Sequence, residues 1–459
     1  MMRLSAPFLI LALAAVGVAQ AADGPAQPIG PEEAIQIALD NHPMLRAADE
    51  EVRAAEADRQ SAGSGYLPQI ELTEDWIRSD NPVYVFSSKL LQGVFSPSDF
   101  DIQALNNPDP ITNSQTRVSV YQNIWNAGRT GLHKKAAVAG IAAAEQSRDK
   151  TRDEVIFGAL KSFWDLVLAQ EMLRVTEDAA AAAEANLSLA TELVDAGLAV
   201  PSDRLSAEVR MAEVEAMRIR AEYGVDVAQA ALVGALGVDW TRRFEPLPPN
   251  RAPASGDDTL EQRVESAYAE RPDLLTVSRR IDQAQLGVKM GRSGYYPEFG
   301  ALGRYELNGA NLFGADGQNW AIGLSARWTI FDGNRTKGQS ARARADLARL
   351  RAMQSGLEQG IRVQVHAAWA DRESARRRLD VAVAAMERAD EALRIVRERY
   401  GEGLAMIVEL LGTEAAFTKA QANHAQAVSE LWLAQASLDL ASGTDPLVQQ
   451  QSNDNSDQS

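Results

Sequence analysis

The spacing of apolar side chains changes period several times along the chain, and each change marks a new element. Residues 31–62 and 259–292 read as helices, the first opened by Pro31 with Glu32 and Glu33 in a favourable first turn. Gly63, Gly65 and Pro68 interrupt the first and Gly291, Gly294 and Pro297 the second, after which the period becomes two. Trp320, Ile322, Leu324, Ala326, Trp328 and Ile330 then fall on one face, with Ala321, Gly323, Ser325, Arg327 and Thr329 on the other. The expected partner strand, 298–307, places Phe299, Ala301, Gly303, Tyr305 and Leu307 on one side. Weaker alternation predicts strands at about 69–76 and 117–125. For any one strand, a sheet packed on a core is the plainer reading. Four strands in two hairpins with no other sheet to pack against point instead to a membrane, closed by other subunits because an open edge cannot sit in lipid. About 10 tilted residues cross an apolar band of about 25 Å, and Trp76, Trp125, Trp320 and Trp328 lie where such strands would meet its interfaces.

Each hairpin is followed by a proline-free stretch, 130–195 and 336–400. At about 1.5 Å per residue each predicts a helix roughly 100 Å long. With the helices that follow them, the expected spans are 128–195, 202–236, 334–400 and 407–441. In the last, Phe417, His424, Leu431 and Leu438 recur every seven residues, partnered by Ala420, Ala427, Ala434 and Ala441. The 128–195 helix repeats the pattern with Leu166/Ala169, Leu173/Thr176, Ala180/Ala183 and Leu187/Ala190. A seven-residue apolar repeat is a coiled-coil seam, and its small partners let helices approach closely. A plain helical bundle is the competing reading.

The chain also repeats itself. Pro43 and Pro68 have counterparts at Pro272 and Pro297, each 229 positions on. Arg129, Gly197 and Asp239 have theirs at Arg335, Gly403 and Asp445, each 206 positions on. The first copy therefore carries about 23 additional residues (229 − 206) between 69 and 124. The division expected is a first repeat at 23–242, a linker at 243–258, a second repeat at 259–445 and a disordered polar tail at 446–459. The extra stretch, Asn81–Ser114, holds four prolines and reads as a long surface loop, with a lid or a phage- or colicin-type receptor surface as its functional alternative.

Residues 1–22 add a destination: Arg3, an apolar run from Phe8 to Val18 and the Ala19-Gln20-Ala21 cleavage pattern form a secretory signal peptide. There are no cysteines, which excludes disulfides, zinc–thiolate sites, thiol nucleophiles and a lipoprotein anchor. A net charge of −17 argues against a nucleic-acid partner. The four histidines are scattered without an i, i+4 pair, and Gly63-Ser64-Gly65 lacks the strand and lysine of a phosphate loop. No catalytic residue, metal or cofactor is expected.

With the duplication, the hairpins and the Gly-Leu turns between long helices in view, the chain resembles the TolC family of outer-membrane efflux proteins over about residues 30–445. The resemblance implies an α+β membrane protein of three protomers. Four strands from each close a twelve-stranded β-barrel in the outer membrane of a Gram-negative bacterium, continued by an antiparallel α-helical coiled-coil barrel in the periplasm. It implies a homotrimer in outer-membrane lipid, working with a periplasmic adaptor (membrane fusion) protein and an inner-membrane pump of the RND, ABC or MFS kind. Such a channel passes drugs, toxic compounds or metal ions outward and is no enzyme. The alternatives are the exit duct of type I protein secretion and, from another class, a periplasmic coiled-coil scaffold.

The resemblance also carries residue roles. Gly197 and Leu198 in the first copy and Gly403 and Leu404 in the second match the helix tips that touch the adaptor. Asp203, Tyr400 and Glu409 match the periplasmic gate, where three Glu409 carboxylates would repel one another and attract cations. This chain departs from the pattern at Ala405, where an arginine often completes the network, and at Gly412, where a second acidic ring often sits. Arg204 and Arg399 are the candidates to substitute for the missing arginine.

Overall fold

The computed structural model describes residues 26–249, 253 and 258–444. The signal peptide, part of the linker and the tail expected from the sequence lie outside them. The first half contains β1 (Gln27–Ile29), α1 (Pro31–Asn41), α2 (Pro43–Gly63), β2 (Gln69–Ser79), α3 (Pro82–Leu91), α4 (Ile102–Asn106), β3 (Ile111–Trp125), α5 (Arg129–Asp195) and α6 (Pro201–Leu236). The second contains β4 (Phe244–Pro246), α7 (Leu260–Glu270), α8 (Pro272–Met290), β5 (Glu298–Gly309), β6 (Gly317–Arg327), α9 (Arg335–Gly401) and α10 (Ile407–Ser442). Helices α5 and α9 are both 67 residues long, and α6 and α10 are both 36.

The chain folds as two units. The sheet unit holds residues 43–154, 258–371 and 437–444, and the helical unit holds 26–42, 155–249 with 253, and 372–436. In the sheet unit the two hairpins are not separate: β3 pairs antiparallel with β5, giving one four-stranded sheet in the order β2-β3-β5-β6. Its helical core gathers Ala267, Leu274, Ile361, Val365, Ala368 and Leu438. Arg263 is buried beside it and paired with Asp439 at 3.0 Å, so the charge is not stranded away from water.

The helices expected at 31–62 and 259–292 are each broken in two. His42 and Arg271 leave the helical region at ψ 126° and 122° because a proline follows each and crowds the preceding residue. The strands also differ from expectation. β2 runs on to Ser79 and β3 starts at Ile111, since pairing from Gln69–Tyr121 to Ser79–Ile111 continues where the apolar alternation has faded. β6 ends at Arg327, so Trp328, Thr329 and Ile330 lie past the ladder. The stretch Asn81–Ser114 is ordered into α3, a 3-10 turn at Pro97–Phe100, α4 and the start of β3.

The helical unit contains a second, parallel sheet that the hydrophobic pattern did not reveal. β1 and β4 pair from Gln27–Phe244 to Ile29–Pro246, burying Ile29 and Phe244. Elsewhere in this unit Trp164 and Trp432 stack with ring centroids 4.9 Å apart, tying α5 to α10. Seam residues of both helices are buried, among them Leu166, Ala183, Ala190, Ala420, Ala427 and Leu431.

Candidate functional site

Cross-strand partners share a face, so the ladder assigns every side chain of the sheet to one of two sides. One side collects Ile70, Leu72 and Trp76, Val118 and Val120, Phe299 and Tyr305, and Trp320, Ile322 and Leu324. These large apolar groups are exposed, Ile322 and Leu324 by 80% and 83%. The opposite side carries Asp75, Arg117, Ser119, Arg304, Glu306, Asn308 and Asn319. There the Arg117 guanidinium donates to Glu306 at 2.8 Å and stands 3.9 Å from Asp75, while Arg304 lies 3.7 Å from Glu306. Glu74 is the acidic exception on the apolar side, and the hydroxyls of Ser114 and Thr116 both donate to it. Such a sheet is made for a boundary between hydrocarbon and water.

Of the tryptophans expected at the interfaces, Trp76, Trp125 and Trp320 lie on the apolar side of the sheet and Trp328 follows the end of β6. Trp76, Trp125, Trp320 and Trp328 are all exposed. The Trp125 ring lies 5.8 Å from Phe299, and the Trp328 indole N–H donates to the Tyr295 carbonyl at 3.2 Å. Among the described residues no helix is long and apolar enough to cross a membrane.

In the helical unit the two interhelical turns have the same construction. Gly197 and Gly403 have φ of 71° and 74°, a conformation that glycine adopts without the cost other residues meet. The Leu198 N–H reaches back to the Leu193 carbonyl at 2.8 Å, and the Leu404 N–H to the Arg399 carbonyl at 2.8 Å. This is the Schellman closure of α5 and α9. In that motif the residue after the glycine commonly packs on the helix it closes. Here Leu198 and Leu404 are 78% and 63% exposed, so both leucines present bare apolar surface.

Just inside these turns lies an apolar cluster of Leu393, Val396, Tyr400, Ile407 and Leu410. Tyr400 is buried with no hydrogen-bond partner for its hydroxyl. Burial first, and the nearby Asp203 carboxylate second, push its pKa above the usual phenol value. Of the candidate arginines, Arg399 reaches Glu409: Nη1 stands 3.2 Å from Glu409 Oε1 and Nη2 donates to the Leu404 carbonyl at 3.1 Å. Arg204 is instead paired with Glu208 at 3.5 Å. The fold thus brings Arg399 to Glu409 and Asp203 near Tyr400.

One polar cluster was missed from the sequence. Glu414 on α10 is 6% exposed, accepts from the Asn186 amide of α5 at 2.5 Å and stands 3.4 Å from Arg397 of α9. Its signal was a lone acid ahead of Ala415, Ala416 and Phe417 in an otherwise apolar seam.

The profile of the outer membrane efflux protein family matches residues 34–238 and 264–444. The chain belongs to that family. This efflux-family chain is 22% identical to protein CyaE of Bordetella pertussis over 87% of its own length and 81% of the relative's. It is 21% identical to the outer membrane protein OprJ of Pseudomonas aeruginosa over 81% and 74%. Among solved structures it superposes on the outer membrane protein VceC of Vibrio cholerae with a TM-score of 0.75 at 19% identity, covering 90% of this chain and 96% of that one. The open-state MtrE channel of Neisseria gonorrhoeae gives 0.72 at 18%, covering 90% and 89%. The fold is therefore TolC-like. The protein is the outer-membrane channel component of an export apparatus, located in a Gram-negative outer membrane with its helical part in the periplasm.

Proposed function

We propose that three copies of this chain assemble one continuous exit duct. The observation that carries the reading is the sheet: β2 and β6 are its two unpaired edges, and its sides are apolar and polar. Edges in hydrocarbon need partners, and three copies of four strands close a twelve-stranded barrel with the apolar side on lipid. The matched helices α5, α6, α9 and α10 continue the duct as an α-helical barrel. The chain performs no chemistry, requires no cofactor or metal, and has no nucleic-acid partner.

In this reading Gly197, Leu198, Gly403 and Leu404 form the docking tips for a periplasmic adaptor, whose inner-membrane pump supplies the cargo. Asp203, Tyr400 and Glu409 form the periplasmic constriction. Arg399 offsets the Glu409 charge within each protomer, so the acidic ring is weaker than three bare carboxylates would make it. Trp76, Trp125, Trp320 and Trp328 anchor the barrel at the two lipid interfaces. Small-molecule efflux is the favoured cargo class and type I protein secretion the second, as relatives include both the outer membrane efflux protein BepC of Brucella suis and the proteases secretion protein PrtF of Dickeya chrysanthemi. Membrane fractionation followed by unheated gel electrophoresis tests the assembly. A trimer in the outer-membrane fraction is expected; a monomer in the soluble fraction would exclude the duct and leave the periplasmic scaffold.

A further inference from the structure

The stretch between β2 and β3 is built as a small folded body. Asn81 caps α3 by accepting from the Tyr84 N–H at 3.1 Å, and Val85 and Ser88 are buried. Phe86, Phe95 and Phe100 form an edge-to-face chain with centroids 4.9 and 5.2 Å apart. Lys89 of α3 donates to Asp99 of the 3-10 turn at 2.6 Å.

This body is fastened to one side of the sheet only. Gln92, just past α3, donates to the Thr112 carbonyl and to Asn113 Oδ1, both at 2.8 Å. Asn113 in turn donates to Asn308 at 3.0 Å. Gln92, Asn113 and Asn308 are at most 5% exposed, so the chain Gln92–Asn113–Asn308 is made away from water, with only the Asn308 Nδ2 left without a partner. A Cβ built on Gly317 would stand 1.8 Å from the Leu91 carbonyl oxygen. By ladder parity Asn113, Asn308 and Gly317 all belong to the polar side, with Arg117, Glu306 and Asn319. The end of α3 therefore lies across the polar side of β3, β5 and β6, at the end of the sheet where β2 turns to β3.

We propose that residues 80–110 form a cap folded inward over the exit of the duct, and that it restricts the cargo to small solutes. The inference rests on the barrel reading, in which the polar side lines the lumen. Twelve strands about 4.8 Å apart and tilted near 45° enclose a wall of radius about 13 Å. A helix with its side chains is about 10–12 Å across. Three caps leaning inward from such a wall leave gaps between side chains and no open bore. The hairpin β5–β6 has only the short turn 310–316, so each protomer contributes one cap. Val83, Phe100 and Ile102, exposed on the cap of one protomer, would meet the neighbouring caps near the axis.

The absence of cysteine allows a direct test from outside the cell. Ser119→Cys places one thiol on the polar side, and Ile322→Cys places one on the apolar side as a control. Intact cells are treated with membrane-impermeant maleimides of graded size. Two variants remove the cap. In one, an Asn-Gly turn replaces residues 80–110, which the cross-strand pairing of Ser79 with Ile111 permits. In the other, Gly317→Ala displaces the end of α3 while leaving the strand intact. The capped chain should label at Ser119→Cys only with the smallest reagents, and both variants should raise the size cut-off while the trimer persists on unheated gels. An unchanged cut-off in both variants overturns the cap. If Ser119→Cys reacts with no reagent even in the uncapped trimer, the barrel reading itself falls and the cap with it.

Discussion

Replacing Asn186 by Ala removes the shorter of the two hydrogen bonds that the buried Glu414 carboxylate receives from other helices. The remaining partner, Arg397, stands 3.4 Å away with a side chain 58% exposed, so water screens most of its attraction. A buried charged acceptor that loses its donor costs about 2 kcal/mol, and the exchange ratio for that cost is roughly thirtyfold. Hydrogen exchange read by mass spectrometry should show this as faster local opening in peptides covering residues 183–190 of α5 and 410–418 of α10. Peptides of the sheet unit should not change. Converting both partners to apolar groups, Asn186→Ala with Glu414→Leu, should recover most of the protection because no orphaned charge remains. The reasoning is refuted if Asn186→Ala leaves exchange within about threefold of the parent, or if the double variant is no better protected than the single one.

Gly197→Ala and Gly237→Ala both force a side chain onto positive φ, at about 1 kcal/mol. At Gly197 nothing lies within 4 Å, whereas at Gly237 the new Cβ meets the His42 Cα at 2.9 Å and the Asn41 carbonyl oxygen at 3.0 Å. Thermal inactivation should therefore be clearly accelerated only by Gly237→Ala; equal effects contradict the packing argument. Arg399→Ala frees the Glu409 carboxylate, so reversal potentials in planar bilayers should move toward cation selectivity, and Arg399→Ala with Glu409→Ala should reverse the change. No movement in either means that Glu409 does not line the conducting path. In the cap, the hydrogen bond from Lys89 and then those from Ser96 hold Asp99 down at about 2. A depressed carboxylate stabilises above its unfolded value near 4 and loses that contribution as pH falls through about 2. A spin label on α3 should thus stay immobile from neutral pH to about 4 and gain motion only below it. Mobility already gained near pH 6 would show that another group pins the cap.

Much of the candidate site could be read in the sequence because it is made by local chemistry. Gly197-Leu198 and Gly403-Leu404 stood out since a Schellman closure needs glycine at one position and leaves the next residue to pack or to protrude. The strand from Trp320 was legible because alternation of large and small groups is a property of consecutive residues. The outer half of β3 was not: Thr112, Asn113, Ser114, Gln115 and Thr116 are polar on both sides, so no periodicity marks the ladder they join. Strands β1 and β4 are three residues each, too short for any period to show. The breaks at Pro43 and Pro272 were visible as prolines that anchor the repeat, and their second consequence, the extended residue before each, was overlooked.

The sequence by itself determined where the four long helices and the alternating strands run, where the long helices turn, and that one half of the chain echoes the other. Those features follow from side-chain period and backbone sterics within a few residues. Only the tertiary structure decided that Arg399 rather than Arg204 reaches Glu409, and that Asn186 serves Glu414 from 228 positions away. It alone showed the insertion turned onto the polar side of the sheet by Gln92, Asn113 and Asn308. Each of these choices is made by a polar group finding its partner on another element, which no local pattern specifies.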